Sequence, residues 1–182
     1  MGEGELNYVL TCLCLDLDRN GIDYMIIGAV ALMAHGYPRF TEDIDLVLTP
    51  EGLEAFHQNL IGLGYVPAFA GGKKSLRSTD QGVPIEVKTS GDYPDDGKPK
   101  PVQFPIPAEA SVEIDGGRVA TLEKLIELKQ ASGMTAPDRL KDLADVQELI
   151  KAMTLCLPYF SERLQLPSPR SVLAGRLSVG PC

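Results

Sequence analysis

Residues 25–48 run MIIGAVALMAHGYPRFTEDIDLVL. Met25 to Ile27 continue an apolar strand that begins at Asp23, and the small pair Gly28-Ala29 breaks it. A short apolar helix follows to Ala34, and His35-Gly36-Tyr37-Pro38 turns the chain. A second strand then closes on Asp43-Ile44-Asp45-Leu46-Val47-Leu48. Side chains alternate along a strand, so Asp43 and Asp45 share one face while Ile44, Leu46 and Leu48 point into a core. Two carboxylates on one face of an apolar strand need a partner, because burying an unpaired charge is very costly. A hard divalent cation such as Mg²⁺, which takes carboxylate oxygens, satisfies both. The alternative is a solvated strand end on which the D-x-D spacing arose by chance. The Gly28-Ala29 turn, opening a helix just upstream, offers backbone N–H groups to a phosphate. Its alternative is a tight turn with no ligand.

A third acid comes from VPIEVKT, residues 83–89, where Val83, Ile85 and Val87 alternate with Glu86 and Lys88. Taken alone, Glu86 reads as an outward-facing glutamate paired with Lys88. If its strand lies beside the Asp43/Asp45 strand, it completes a three-carboxylate cluster able to hold two metals and to accept a proton from an attacking hydroxyl. Pro84 predicts an edge strand or a strand start. Arg39 and Thr41 flank the aspartates and are read as nucleotide-binding. For Arg39 the competing expectation is a salt bridge to Glu42 or Asp43. His35 reads as a packed helix-end residue rather than a base. Lys73, Lys74 and Arg77 form a small basic patch, equally suited to a triphosphate or to a solvated hairpin face.

Around these motifs the chain is ordinary. It has 182 residues, 44% hydrophobic and 23% charged, which predicts one main domain with a sizeable core. The net charge of −8 opposes broad, salt-driven binding to a nucleic-acid backbone, although it leaves room for one RNA end. Cys12, Cys14, Cys156 and Cys182 have neither zinc spacing nor a C-x-x-C pair, so a reduced, cytoplasmic setting is expected. The acidic start MGEGELNY with no long apolar run after it predicts neither a signal peptide nor a membrane span.

Apolar spacing predicts helices over 4–19, 29–34, from Pro50 up to Gly64, over 122–131 and over 138–153. Strands are expected at 23–27, 44–48, 65–69, 75–78 and 83–89, with a further hairpin around Asp115-Gly116-Gly117. Gly91 to Ala108 carries five prolines and no periodicity, the mark of a functional or disordered loop. The expected fold is α+β, a small mixed sheet flanked by helices. The expected division is a catalytic domain at 1–120, a helical pair at 121–157 and a tail at 158–182.

The run Ile27-Gly28-Ala29, thirteen intervening residues and then Asp43-Ile44-Asp45-Leu46 resembles the signature of the polymerase-β-like minimal nucleotidyltransferases. AHGYPRFTEDIDLVL with the later LEKLIELKQA and RLKDLADVQEL resembles their abortive-infection (AbiEii-like) branch, which includes type IV toxins. The resemblance covers about residues 20–153. It implies metal binding by Asp43, Asp45 and Glu86, phosphate contact at Gly28 and Ala29, and nucleotide contact by Lys129, Arg139, Lys141, Asp142 and Asp145. Spacing alone reads that last group as a charged outer helix face. Ala29 stands where Gly or Ser is usual, so its phosphate contact rests on backbone N–H groups. Glu86 replaces the more usual Asp, shifting the third ligand by one methylene. The activity implied is Mg²⁺-dependent transfer of NMP from an NTP to a hydroxyl of a tRNA 3′ end, a protein or a small molecule. A toxin–antitoxin or phage-defence setting with a cognate partner is implied by the resemblance only. The alternative is a catalytically inactive nucleotide- or partner-binding module of the same fold.

Overall fold

A computed structural model describes residues 3–94, 99, 101–135 and 144–151. Two compact units are present, 1–146 and 147–182. The second is described only at 147–151, which are helical, with Lys151 paired to Glu148. Arg139, Lys141, Asp142, Cys156, Cys182 and the 158–182 tail lie outside the described residues.

The first unit is a seven-stranded mixed sheet with helices on it. In chain order the elements are α1 (Glu3–Arg19), β1 (Tyr24–Ile27), α2 (Gly28–Ala34), β2 (Ile44–Leu48), α3 (Pro50–Asn59), β3 (Tyr65–Pro67), β4 (Ser75–Ser78), β5 (Pro84–Thr89), α4 (Pro107–Ala110), β6 (Ser111–Ile114), β7 (Gly117–Ala120) and α5 (Leu122–Thr135). The strands are ordered β3-β4-β5-β2-β1-β7-β6. β1 runs antiparallel to β2 and parallel to β7, and β2 runs parallel to β5. β1, β2 and β5 are therefore interior strands, which is why their apolar residues are covered almost completely.

Two of the helices, α1 and α3, show the physical cause of their placement. α1 buries Leu6, Val9, Leu13 and Leu17, a stripe at helical spacing, and packs on β7. Thr49 caps α3 by accepting the Gly52 N–H at 2.9 Å, with Pro50 at the first helical position. The pattern predicts that this helix reaches Gly64, but it stops at Asn59. Leu60 leaves the helix, Gly62 takes a φ of +84° and Ile61 bridges to Tyr65. Leu63, apparently in register with the apolar face, is 74% exposed as a result. The strand expected over 65–69 is shorter and ends at Pro67. Pro84 is the first residue of β5, an interior strand, and so marks a strand start rather than an edge.

Candidate active site

β1 delivers the chain to the middle of the sheet and ends at Ile27, directly opposite Asp45 of β2. On the other side of β2, Asp45 is in register with Glu86 of β5. The two strands are adjacent, which is the condition under which Glu86 joins the aspartates. Ile44, Leu46, Ile85 and Val87 are buried, whereas Asp45 and Glu86 are half-buried on the opposite face. Sheet pairing therefore places two carboxylates side by side at the end of β1.

Gly28 completes the arrangement. Its φ of +67° is open to glycine and costly for other residues. A Cβ placed there would collide with Asp45 Oδ2 and stand 3.0 Å from the Asp45 Cβ. The missing side chain lets the carboxylate lie against the first residue of α2.

Asp43 precedes β2, and its carboxylate accepts a hydrogen bond from Thr41 Oγ1. Glu86 accepts one from Ser75 Oγ at 3.1 Å and has Lys88 Nζ at 3.9 Å. The expected outward pairing of Glu86 with Lys88 thus coexists with its place beside Asp45. Among the described residues, no three of His, Cys, Asp and Glu gather closely enough to form a ready cation cage. Asp43 and Glu86 each turn toward a donor of their own. Even so, Asp45 feels both. Burial first, then the charge of Asp43, and to a lesser degree that of Glu86, push its carboxyl up to about 6, against the opposing pull of Lys88 and Lys129.

Asp45 and Glu86 border a cavity of about 520 Å³. Ile27, Gly28, Ala29, Asp45 and Glu86 form one wall. Lys74, Lys88 and Lys129 also line it, as do the apolar side chains of Tyr93, Phe104, Leu125 and Leu128. α5 contributes Leu125, Leu128, Lys129 and Ser132, which recur at helical spacing along one side of the helix. The proline-rich loop reaches the cavity because its base is pinned. Gly91 N–H donates to Phe104 O and Phe104 N–H to Asp92 O, both at 2.8 Å, and Lys74 pairs with Asp92.

Lys129 is tied back by Asp145, a carboxylate that is 2% exposed. Asp145 Oδ2 accepts from Lys129 Nζ at 2.9 Å, and Oδ1 accepts from Arg39 Nη1 at 2.8 Å. Asp145 is therefore an interior group and not part of a charged outer face. Arg39 pairs with neither Glu42 nor Asp43. Together with Thr41, it borders a second cavity of about 660 Å³ lined by Leu6, Leu10, Met33 and Ile114. His35 is a packing residue, as expected, with its Nε2 2.8 Å from Ala120 O. Of the residues singled out from the sequence, Gly28, Ala29, Asp45, Glu86 and Lys129 meet in one cavity. Asp43 lies next to it, and Arg39 and Thr41 lie beyond it. Lys74 had a sequence signal in its basic patch. Asp92, Tyr93 and Phe104 had none, because the loop that carries them has no period.

No family model matches the chain, and no curated protein matches it. Solved structures do. An antigenic nucleotidyltransferase-like protein from Paracoccidioides brasiliensis superposes with a TM-score of 0.56 at 21% identity, covering 84% of this chain and 78% of its own. A candidate nucleotidyltransferase from Thermotoga maritima gives 0.52 at 18% identity, covering 85% and 96%. ANT(2″)-Ia, in a complex with adenylyl-2″-tobramycin, gives 0.52 at 15% identity, covering 84% and 90%. At these identities the likeness is one of architecture, and the mixed sheet with its flanking helices is a nucleotidyltransferase-like fold.

Proposed function

We propose that this chain is a nucleotidyltransferase that moves NMP from an NTP to an acceptor hydroxyl, the hydroxyl attacking the α-phosphorus as pyrophosphate leaves. The observation that carries the proposal is the register of Asp45 between Ile27 and Glu86, with Gly28 stripped of a side chain beneath it. A carboxyl that burial first, and then the charge of Asp43, push up to about 6 is better satisfied by a divalent cation than by its acidic neighbours. Asp43, Asp45 and Glu86 are the oxygen donors that would hold Mg²⁺, which supplies charge neutralisation at the transferred phosphoryl group when bound. Lys129, with Lys74 and Lys88, orients the anionic phosphates along the Gly28-Ala29 wall. Tyr93 and Phe104, with the apolar side chains that line the same cavity, take the nucleoside and exclude water. In this reading Glu86 would accept the proton of the attacking hydroxyl. Most of the acceleration then comes from positioning and fixed charge.

The AbiEii-like branch, a toxin–antitoxin or defence role and a cognate partner rest on the sequence resemblance. ANT(2″)-Ia, whose complex holds an adenylylated tobramycin, keeps a small-molecule hydroxyl among the acceptors beside a tRNA end and a protein side chain. A second reading, a nucleotide-binding module without turnover, draws on the separate partners of Asp43 and Glu86. The deciding experiment offers α-labelled NTPs, one at a time with Mg²⁺, to total tRNA, extract protein, aminoglycosides and the chain itself. Label that depends on Asp43 and Asp45 identifies nucleotide and acceptor together. NTP binding with no label in any mixture establishes the second reading.

A further inference from the structure

The basic patch of the β3–β4 hairpin divides in the folded chain. Lys74 lines the Asp45 cavity and pairs with Asp92. Lys73 and Arg77 are exposed and stay outside that lining. Among the described residues, every other lysine and arginine has a carboxylate oxygen within 4.0 Å, whereas Lys73 and Arg77 have none. Arg77 Nη2 donates only a long bond, 3.4 Å, to the neutral Ala68 O. The chain has a net charge of −8, yet residues 65–78 hold no acid at all. Local positive charge kept apart from the protein's own carboxylates is a footprint for an external anion.

An aromatic ring accompanies the two cations. Phe69 is 62% exposed, and its ring leans on Gly72, where an added Cβ would stand 3.2 Å from Cζ. The bond to Ala68 O brings the Arg77 guanidinium to the residue before Phe69, and Lys73 follows Gly72. Strand pairing ties this patch to the carboxylates. Ser75 lies opposite Glu86, and Arg77 lies opposite Pro84. Ser75 and Arg77 therefore share the sheet face of Glu86, about 7 Å apart along β4. An exposed ring beside unpaired cations is the equipment that holds single strands, the ring stacking on a base and the cations meeting phosphates.

We propose that Phe69, Lys73 and Arg77 form a docking site for a single-stranded nucleic-acid end, which delivers its terminal hydroxyl toward Glu86. That the strand is the acceptor rests on the nucleotidyltransferase reading, whereas its binding to the hairpin does not. A polycationic acceptor such as an aminoglycoside would be repelled here. One competing account is a solvated hairpin face that meets only water. Another is that Lys73 and Arg77 serve the triphosphate of the NTP.

Two measurements on the full chain separate these accounts. The first is fluorescence anisotropy with a short labelled single-stranded RNA, repeated across salt concentrations. The second is calorimetric binding of inorganic tripolyphosphate with Mg²⁺, a probe of the cavity that needs no knowledge of the base. Lys73→Gln and Arg77→Gln are each expected to weaken the RNA and to reduce the slope of log affinity against log salt by about 0.7. Arg77→Lys restores the slope. Phe69→Leu is expected to weaken the RNA about tenfold with the slope unchanged, on the scale of one stacked base. All four variants should keep tripolyphosphate affinity within about twofold. RNA that the wild type does not bind, or binds no better than the variants do, overturns the proposal. So does a parallel loss of tripolyphosphate, which assigns the cations to the NTP. A duplex bound as tightly as the single strand, with Phe69→Leu silent, overturns it too, because charge alone is then being read. RNA held by these residues in a protein that transfers no label from any NTP keeps the site and removes the nucleotidyltransferase reading instead.

Discussion

The carboxylate of Asp45 occupies the space in which a side chain on Gly28 would stand. Gly28→Ala therefore meets two obstacles, a left-handed backbone at φ +67° and a collision with Oδ2. The backbone strain alone costs about 1–3 kcal/mol. Relief of the collision requires Asp45 to leave its place against α2. The expected outcome is a lower melting temperature together with loss of NMP transfer. Gly21→Ala is the control. It carries a similar φ of +63° with nothing near its Cβ, so it should lose stability and keep activity.

Asp45 also makes the metal-free protein sensitive to pH. Its carboxyl rises from 3.8 to about 6, through burial first and the charge of Asp43 second. Well below pH 3.8 the group is protonated in both folded and unfolded chains and causes no penalty. As pH rises through 6, the folded state must ionise it in place, and stability is lost. The displacement corresponds to at most about 3 kcal/mol at pH 7. Asp45→Asn is thus expected to raise the melting temperature of the metal-free protein at pH 7–8 and to flatten its profile between pH 4 and 6. Denaturant unfolding with EDTA across that range measures both effects. Mg²⁺ should stabilise the wild type at pH 7 and leave Asp45→Asn unmoved.

What the sequence disclosed follows from how locally each feature is determined. Asp43, Asp45 and Glu86 stand out because a strand has period two, and a polar residue at an apolar repeat is visible without any tertiary knowledge. The Gly28 turn is visible for a similar reason. That Asp45 faces Glu86 is a matter of strand order, and β2 and β5 are separated by a helix and two strands. No local signal carries such a pairing. Arg39 and Asp145 are 106 positions apart, and each has plausible partners nearer in sequence. The end of α3 was obscured by Leu60 and Leu63, which keep helical spacing although Gly62 has already turned the chain. Tyr93 and Phe104 belong to an aperiodic loop that only its two backbone hydrogen bonds bring to the cavity.

The core should separate from the chemistry. Phe56 is fully buried and meets Tyr65 edge to face, with ring centroids 5.4 Å apart. It lies on α3, which packs on β2 and β5 and contributes no residue to the lining of the Asp45 cavity. Phe56→Leu keeps most of the apolar volume but loses the ring contact, at a cost of about 1–2 kcal/mol. Chemical denaturation should register the loss, while tripolyphosphate affinity at 10 °C stays within about twofold, since distant and independent sites add.

Glu86 gives the sharpest test of the proposed chemistry, because its charge and its reach can be changed separately. Glu86→Gln keeps the length and the contact with Ser75 but gives up the negative charge beside Asp45. A cation then loses one donor, and a hydroxyl loses its proton acceptor. Transfer is expected to fall on the order of 10²–10³-fold, the usual scale for removing one preorganised charge. Glu86→Asp keeps the charge and withdraws it by one methylene from Ser75 Oγ, now at 3.1 Å. Its expected loss is smaller, with transfer intermediate between wild type and Glu86→Gln. Raising the Mg²⁺ concentration should recover Glu86→Asp further than Glu86→Gln. Equal activity in all three proteins would place Glu86 outside the reaction and return it to its pairing with Lys88, and steady-state transfer rates at two Mg²⁺ concentrations decide between these outcomes.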